Sequence, residues 1–129
     1  MNEKDLVADA SAVIALLVGE PFIRFDATRL SNALISTVNL SEVLARLPEL
    51  GVPEDAAADA VSRLTLRVVT FDETQARAAA RLRALTRQAG LSLGDRACLA
   101  LASELRLPVM TADRAWRDLD IGVDIRFFR

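Results

Sequence analysis

Apolar residues fall along this chain in two kinds of run, short solid blocks and longer stretches where they recur every three or four positions. Leu6-Val7-Ala8 is a solid block closed by Asp9, which predicts a buried strand running into a turn. Residues 11–18 predict an apolar helix, stopped at Gly19-Glu20-Pro21, and the spaced apolar residues of 22–30 predict a second. Leu34-Ile35 reads as a brief strand ending at Ser36-Thr37. Val38, Leu40, Val43, Leu44 and Leu47 then mark the inner face of a helix over about 38–47. Pro53 predicts the first position of another helix, as proline prefers, with Ala57, Ala60, Val61 and Leu64 facing inward. Residues 66–70 predict a third strand, 72–88 a long Ala/Arg helix closed by Ala89-Gly90, 94–105 a further helix, and 108–111 and 123–127 two last strands. Strands alternating with helices imply one α/β domain spanning residues 1–129, with a central, mostly parallel sheet flanked by helices on both faces.

Composition narrows the chemistry. The chain has 129 residues, 52% hydrophobic and 26% charged, which suits one soluble domain with a sizeable core. A net charge of −2 gives no overall attraction to nucleic acid, although a local patch can supply one. Lys4 is the only lysine among 16 basic residues; the rest are Arg, whose planar fork suits phosphate and carboxylate. The single cysteine, Cys98, sits on the apolar face of its helix and reads as a core thiol. Glu3, Lys4 and Asp5 open the chain and do not resemble a signal peptide, and no apolar stretch approaches the roughly 20 residues that span a bilayer. A cytoplasmic protein without membrane association is the expectation. With no His and no Tyr, catalytic triads, His bases and His-ligated zinc are excluded. Any catalysis must rest on carboxylates and a hard cation.

Four acids stand out from the eighteen. Asp9 closes a buried strand, Glu42 lies within the helix after the second strand, Asp95 opens a helix, and Asp113 follows the strand at Val109-Met110. Each has a local explanation. Asp9 suits an N-cap, Glu42 an i to i+4 pair with Arg46, Asp95 a capping box with Ser92, and Asp113 the first turn of a short helix. Their coincidence points further. Alternating strands and helices bring three of them to the carboxyl edge of the sheet, where such folds bind ligands, with Glu42 a turn and a half into its helix. Clustered carboxylates repel unless a cation or protons relieve them, and oxygen-only ligands select Mg²⁺ or Mn²⁺.

The blocks that carry these acids are Val7-Ala8-Asp9-Ala10-Ser11, Ile35-Ser36-Thr37-Val38-Asn39-Leu40-Ser41-Glu42-Val43, Leu91-Ser92-Leu93-Gly94-Asp95-Arg96-Ala97-Cys98-Leu99-Ala100 and Met110-Thr111-Ala112-Asp113-Arg114-Ala115-Trp116. In order and spacing they resemble the motifs of a PIN domain, of the VapC type found in bacterial toxin–antitoxin pairs. The resemblance implies a Mg²⁺- or Mn²⁺-dependent endoribonuclease with Asp9, Glu42, Asp95 and Asp113 as metal ligands. It also implies support from Ser11, Asn39 and Thr111, a cognate antitoxin and a homodimer. Some members carry a further acid after the fourth motif; here Asp118 is the nearest candidate.

Arg96 and Arg114, each beside a proposed ligand, are candidate phosphate contacts, as are Arg77, Arg81 and Arg87 along the long helix. Solvated faces explain the same residues. The apolar stretches at 22–25 and 44–50 suit either a partner surface or the core. Two rival readings remain. A phospho-acceptor receiver domain shares the acidic α/β character but needs a paired acid after the first strand and a late lysine, both missing here. A PIN-fold binding module without activity is the other. A metal-dependent adhesion site needs Asp-x-Ser-x-Ser, which Val13 breaks.

Overall fold

The computed structural model describes residues 5–129; Glu3 and Lys4, part of the polar opening of the chain, lie outside them. Five strands, β1 (Val7–Ala8), β2 (Leu34–Ser36), β3 (Arg67–Val69), β4 (Val109–Thr111) and β5 (Ile125–Phe127), form one sheet in the order β3-β2-β1-β4-β5. Every neighbouring pair is parallel. The helices are α1 (Ala10–Leu17), α2 (Thr37–Glu49), α3 (Glu54–Ser62), α4 (Glu73–Leu85) and α5 (Leu93–Leu105), with short 3₁₀ turns at Ala27–Leu30, Arg87–Ala89 and Arg114–Trp116.

The solid apolar blocks have a simple cause. Side chains alternate across a strand, so a sheet covered on both faces needs apolar residues at every position. Leu6, Ala8, Ala33, Ile35 and Met110 fall into one core together with Ala12 and Val13 of α1, Val43 and Leu47 of α2, and Ala57 and Val61 of α3. Val7, Leu34 and Val109 fall into the second, with Ala79 and Leu82 of α4 and the buried face of α5. The chain leaves β1 for β2 and β3 on one side, then returns to β4 and β5 on the other. That reversal beside β1 opens a crevice at the carboxyl ends of β1 and β4. Among the described residues no helix is long and apolar enough to cross a membrane.

Two predicted helices are shorter than the pattern suggests. In the 22–30 stretch only Ala27–Leu30 is helical, as a 3₁₀ turn. The Asp26 carboxylate accepts from both the backbone and the hydroxyl of Thr28, which starts the turn there. Upstream, Phe22 stacks on Phe128 with ring centroids 4.3 Å apart, and the Ile23 and Arg24 amides donate to the Phe128 carbonyl. The segment is thus pinned to the chain leaving β5, and its amides are unavailable to a helix. Phe22 and Phe25 pack against the first core, whereas Ile23 is 75% exposed. The second case is α4, which ends at Leu85. Buried Thr86 turns its hydroxyl back onto the Leu82 carbonyl at 2.6 Å, and the chain tightens into the 3₁₀ turn capped by Gly90 at φ 65°. In the 44–50 stretch Leu47 is core, while Leu44 and Leu50 reach the surface.

Candidate active site

Register brings the first pair of functional residues together. Val7 faces Val109 and Ala8 faces Met110, so the next positions, Asp9 and Thr111, are neighbours as the two strands end. Oδ2 of Asp9 accepts the Ser11 hydroxyl at 2.7 Å and the Thr111 hydroxyl at 2.9 Å. Each hydroxyl has one hydrogen, so each is spent on Asp9, and their lone pairs serve the next turn. Ser11 Oγ accepts the Ala112 amide and Thr111 Oγ1 the Asp113 amide, both at 3.0 Å. One carboxylate oxygen therefore ties β1, α1 and the turn after β4 into a single polar network. Asp9 is the N-cap residue of α1 by position, yet its side chain makes no capping bond.

Glu42 is placed from the other side. Asn39 and Glu42 are three apart on α2 and share a face. Buried Asn39 donates from Nδ2 to Glu42 Oε1 at 2.8 Å and to the Gly94 carbonyl at 3.0 Å, which joins α2 to the first turn of α5. The carboxylate rests against Gly94 itself. A Cβ on Gly94 would lie 2.3 Å from Glu42 Oε2, so the absence of a side chain there makes room for the acid. The expected pair of Glu42 with Arg46 does not form; Arg46 bridges to Glu49 at 2.8 Å. Asp95 closes a true capping box, accepting the Ser92 amide at 2.9 Å while its own amide donates to Ser92 Oγ. Asp113 accepts the Ala115 amide at 3.0 Å and so caps the 3₁₀ turn Arg114–Trp116.

All four acids line one cavity of about 480 Å³ at the carboxyl edge of the sheet. Each holds its local bond through one oxygen. Asp9 Oδ1, Glu42 Oε2, Asp95 Oδ1 and Asp113 Oδ2 have no hydrogen-bond partner among the described residues. Burial pushes the Asp9 carboxyl up to about 6 from its ordinary 3.8; the hydroxyls of Ser11 and Thr111 hold it back, and the charges of Asp95 and Glu42 raise it further. Among the described residues no three His, Cys, Asp or Glu side chains stand close enough to form a ready-made metal cluster. The four stand on separate parts of the fold around the cavity wall, Asp9 after β1, Glu42 on α2, Asp95 on α5 and Asp113 after β4. Their chemistry nevertheless fits a hard divalent cation, with hard oxygen donors and a partly desolvated negative charge that a cation would stabilise.

The arginines are placed differently from one another. Arg96 turns toward α4 and donates to the Ala79 carbonyl at 3.1 Å. Arg114 lies over the Phe127 ring, 5.0 Å from its centroid, and donates to the Arg129 carbonyl. Arg77 is paired with Glu73 at 2.8 Å. Asp118 lines a separate cleft with Leu85 and Arg87 and does not reach the four acids' cavity. Cys98 is fully buried, and burial, reinforced by the charges of Asp9, Asp95 and Glu42, pushes its thiol well above its ordinary range. It is core. Gly94 is the functional position that pattern reading leaves out, since nothing in a lone glycine announces the acid it must accommodate.

A small parallel α/β domain with an acidic crevice at its carboxyl edge is the class these features define. The model of the PIN domain matches residues 6–122, and the chain belongs to that family. Solved structures share its fold. VapBC from Salmonella typhimurium, crystallised bound to DNA, aligns at 20% identity over 97% of this chain and 98% of that one, with a TM-score of 0.74. VapBC2 from Rickettsia felis, bound to a promoter DNA fragment, aligns at 12% identity over 97% and 99%, with a TM-score of 0.75. VapC20 from Mycobacterium tuberculosis, a sarcin–ricin loop cleaving toxin, aligns at 17% identity over 92% and 98%, with a TM-score of 0.71. No curated protein sequence gives a match.

Proposed function

We propose that this chain is a divalent-metal-dependent endoribonuclease of the VapC toxin type, acting as one domain. The observation that carries the reading is the convergence of Asp9, Glu42, Asp95 and Asp113 on one cavity, each with an oxygen to spare. These four would hold Mg²⁺ or Mn²⁺. When bound, such an ion lowers the pKa of a water and offsets the charge of a phosphodiester. The protein's own part is positioning. Ser11 and Thr111 fix the orientation of Asp9, and Asn39 holds Glu42 against Gly94. With no histidine in the chain, no side chain of ordinary pKa near neutrality offers itself as a base. RNA as substrate is favoured by the sarcin–ricin loop cleaving relative, and a protein antitoxin as partner by the VapBC relatives. Self-association as a homodimer belongs to the same reading.

Purified protein incubated with structured RNAs and Mg²⁺ or Mn²⁺ should cleave them, and Asp95→Asn or Asp113→Asn should abolish cleavage. Persistent cleavage in either variant overturns the assignment of the site. RNA binding without cleavage by the unaltered protein would favour the binding-module reading instead.

A further inference from the structure

Behind the first turn of α5, on the side facing α4, lies a second cavity of about 280 Å³ lined by Arg83, Thr86, Arg87, Gly90, Leu91 and Arg96. It contains three guanidinium groups and no carboxylate. Six other arginines form ion pairs with acids, but Arg83, Arg87 and Arg96 form none among the described residues. The only polar side chain on its wall besides these, Thr86, has its hydroxyl committed to Leu82. Arg96 gives one hydrogen to Ala79, but its Nε is buried without an acceptor. A buried, unmatched donor is costly, and the like charge of Arg83 and Arg87, both exposed and therefore screened, adds a weaker repulsion. An anion relieves both.

The position suggests which anion. Arg96 follows Asp95 directly, so the basic cavity and the acidic cavity flank the same helical turn. We propose that Arg83, Arg87 and Arg96 form a subsite for a backbone phosphate of single-stranded RNA, next along the strand from the phosphate held at the carboxylates. The proposal rests on the ribonuclease reading for its choice of RNA, but not for its geometry. Arginine suits the task because its fork matches phosphate oxygens two at a time. The 3₁₀ turn Arg87–Ala89, capped by Gly90, follows the end of α4 and contributes Arg87 and Gly90 to the cavity that Arg96 also lines.

The test is binding of a fluorescein-labelled short single-stranded RNA in EDTA, followed by anisotropy across a salt series. The proteins compared are the unaltered chain, Arg83→Gln/Arg87→Gln, Arg96→Gln, and Arg63→Gln as a control at an exposed ion pair far along the chain. The double variant should bind roughly tenfold more weakly at low salt, as loss of charge-assisted contacts does. Its log K against log salt should flatten by roughly 0.7 for a phosphate no longer neutralised. Arg96→Gln should weaken binding in the same direction, and Arg63→Gln should not. If the double variant matches Arg63→Gln in both affinity and slope, the subsite does not exist. Cleavage assays with Mg²⁺ on the same proteins separate the two readings. Arginine-dependent binding by a protein that cleaves nothing supports the subsite and removes the nuclease. Cleavage with no arginine dependence does the reverse.

Discussion

Asp9→Asn should make this protein more stable at neutral pH while destroying the candidate site. Burial is the leading reason that the Asp9 carboxyl stands at about 6 in the fold instead of 3.8. The unfolded chain therefore gives up this proton first. Stability from protonated Asp9 is complete below its unfolded pKa and drains away as pH rises through about 6. Roughly two pH units at 1.36 kcal/mol each make the ionised group cost about 3 kcal/mol at neutrality. Asn carries no charge, keeps an oxygen for one hydroxyl donor, and forfeits part of the two-donor arrangement at about 1 kcal/mol. The net gain is about 2 kcal/mol near pH 7.5, turning to a loss of about 1 kcal/mol near pH 4. For a chain of this size each kcal/mol moves Tm by roughly 4 °C. Circular-dichroism melts of both proteins in EDTA, stepped through that pH range, measure it. The difference in Tm should rise with pH and change sign between the two ends. A difference that stays constant with pH, or melts lower for the variant throughout, refutes the argument that Asp9 is a desolvated acid.

Three further outcomes follow from the same contacts. Gly94→Ala places a methyl where the Glu42 carboxylate sits, so cleavage should fall at least tenfold, while thermal melting holds or improves because Ala is about 1 kcal/mol better than Gly in a helix. Thr111→Val removes the second donor to Asp9 and the acceptor for the Asp113 amide; chemical denaturation should report a loss of about 1–3 kcal/mol. Mg²⁺ at a hundredfold excess over its Kd should stabilise the protein by about 2.7 kcal/mol, read as a rise in Tm that Asp95→Asn diminishes.

Much of the architecture can be read from the chain because its governing forces are local or periodic. Val7, Leu34 and Val109 are apolar on one face, with Leu6, Ile35 and Met110 on the other, so unbroken apolar blocks announce a doubly covered parallel sheet. The capping box of Asp95 is likewise a short-range signal. What pattern misses is decided across the fold. Phe22 has helix-like spacing, but stacking on Phe128, more than a hundred residues away, holds its segment out of a helix. Arg46 is correctly spaced for Glu42, but Asn39 and Gly94 offer that acid a better seat. Arg83 and Arg87 are four apart and neighbours by spacing, but that Arg96 joins them is decided by how α4 packs on α5.

Asp95 and Asp9 answer to opposite selective pressures, although they share one cavity. The capping box makes Asp95 an asset to folding at neutral pH, whereas desolvation makes Asp9 a liability there. In a gene copy released from selection for activity, drift from Asp9 to Asn would meet no thermodynamic resistance near neutral pH, because the charge removed costs more than the hydrogen bond forfeited. Asp95 would persist for its service to the helix. A decayed descendant of this protein should thus be recognised by a missing first acid beside an intact third one.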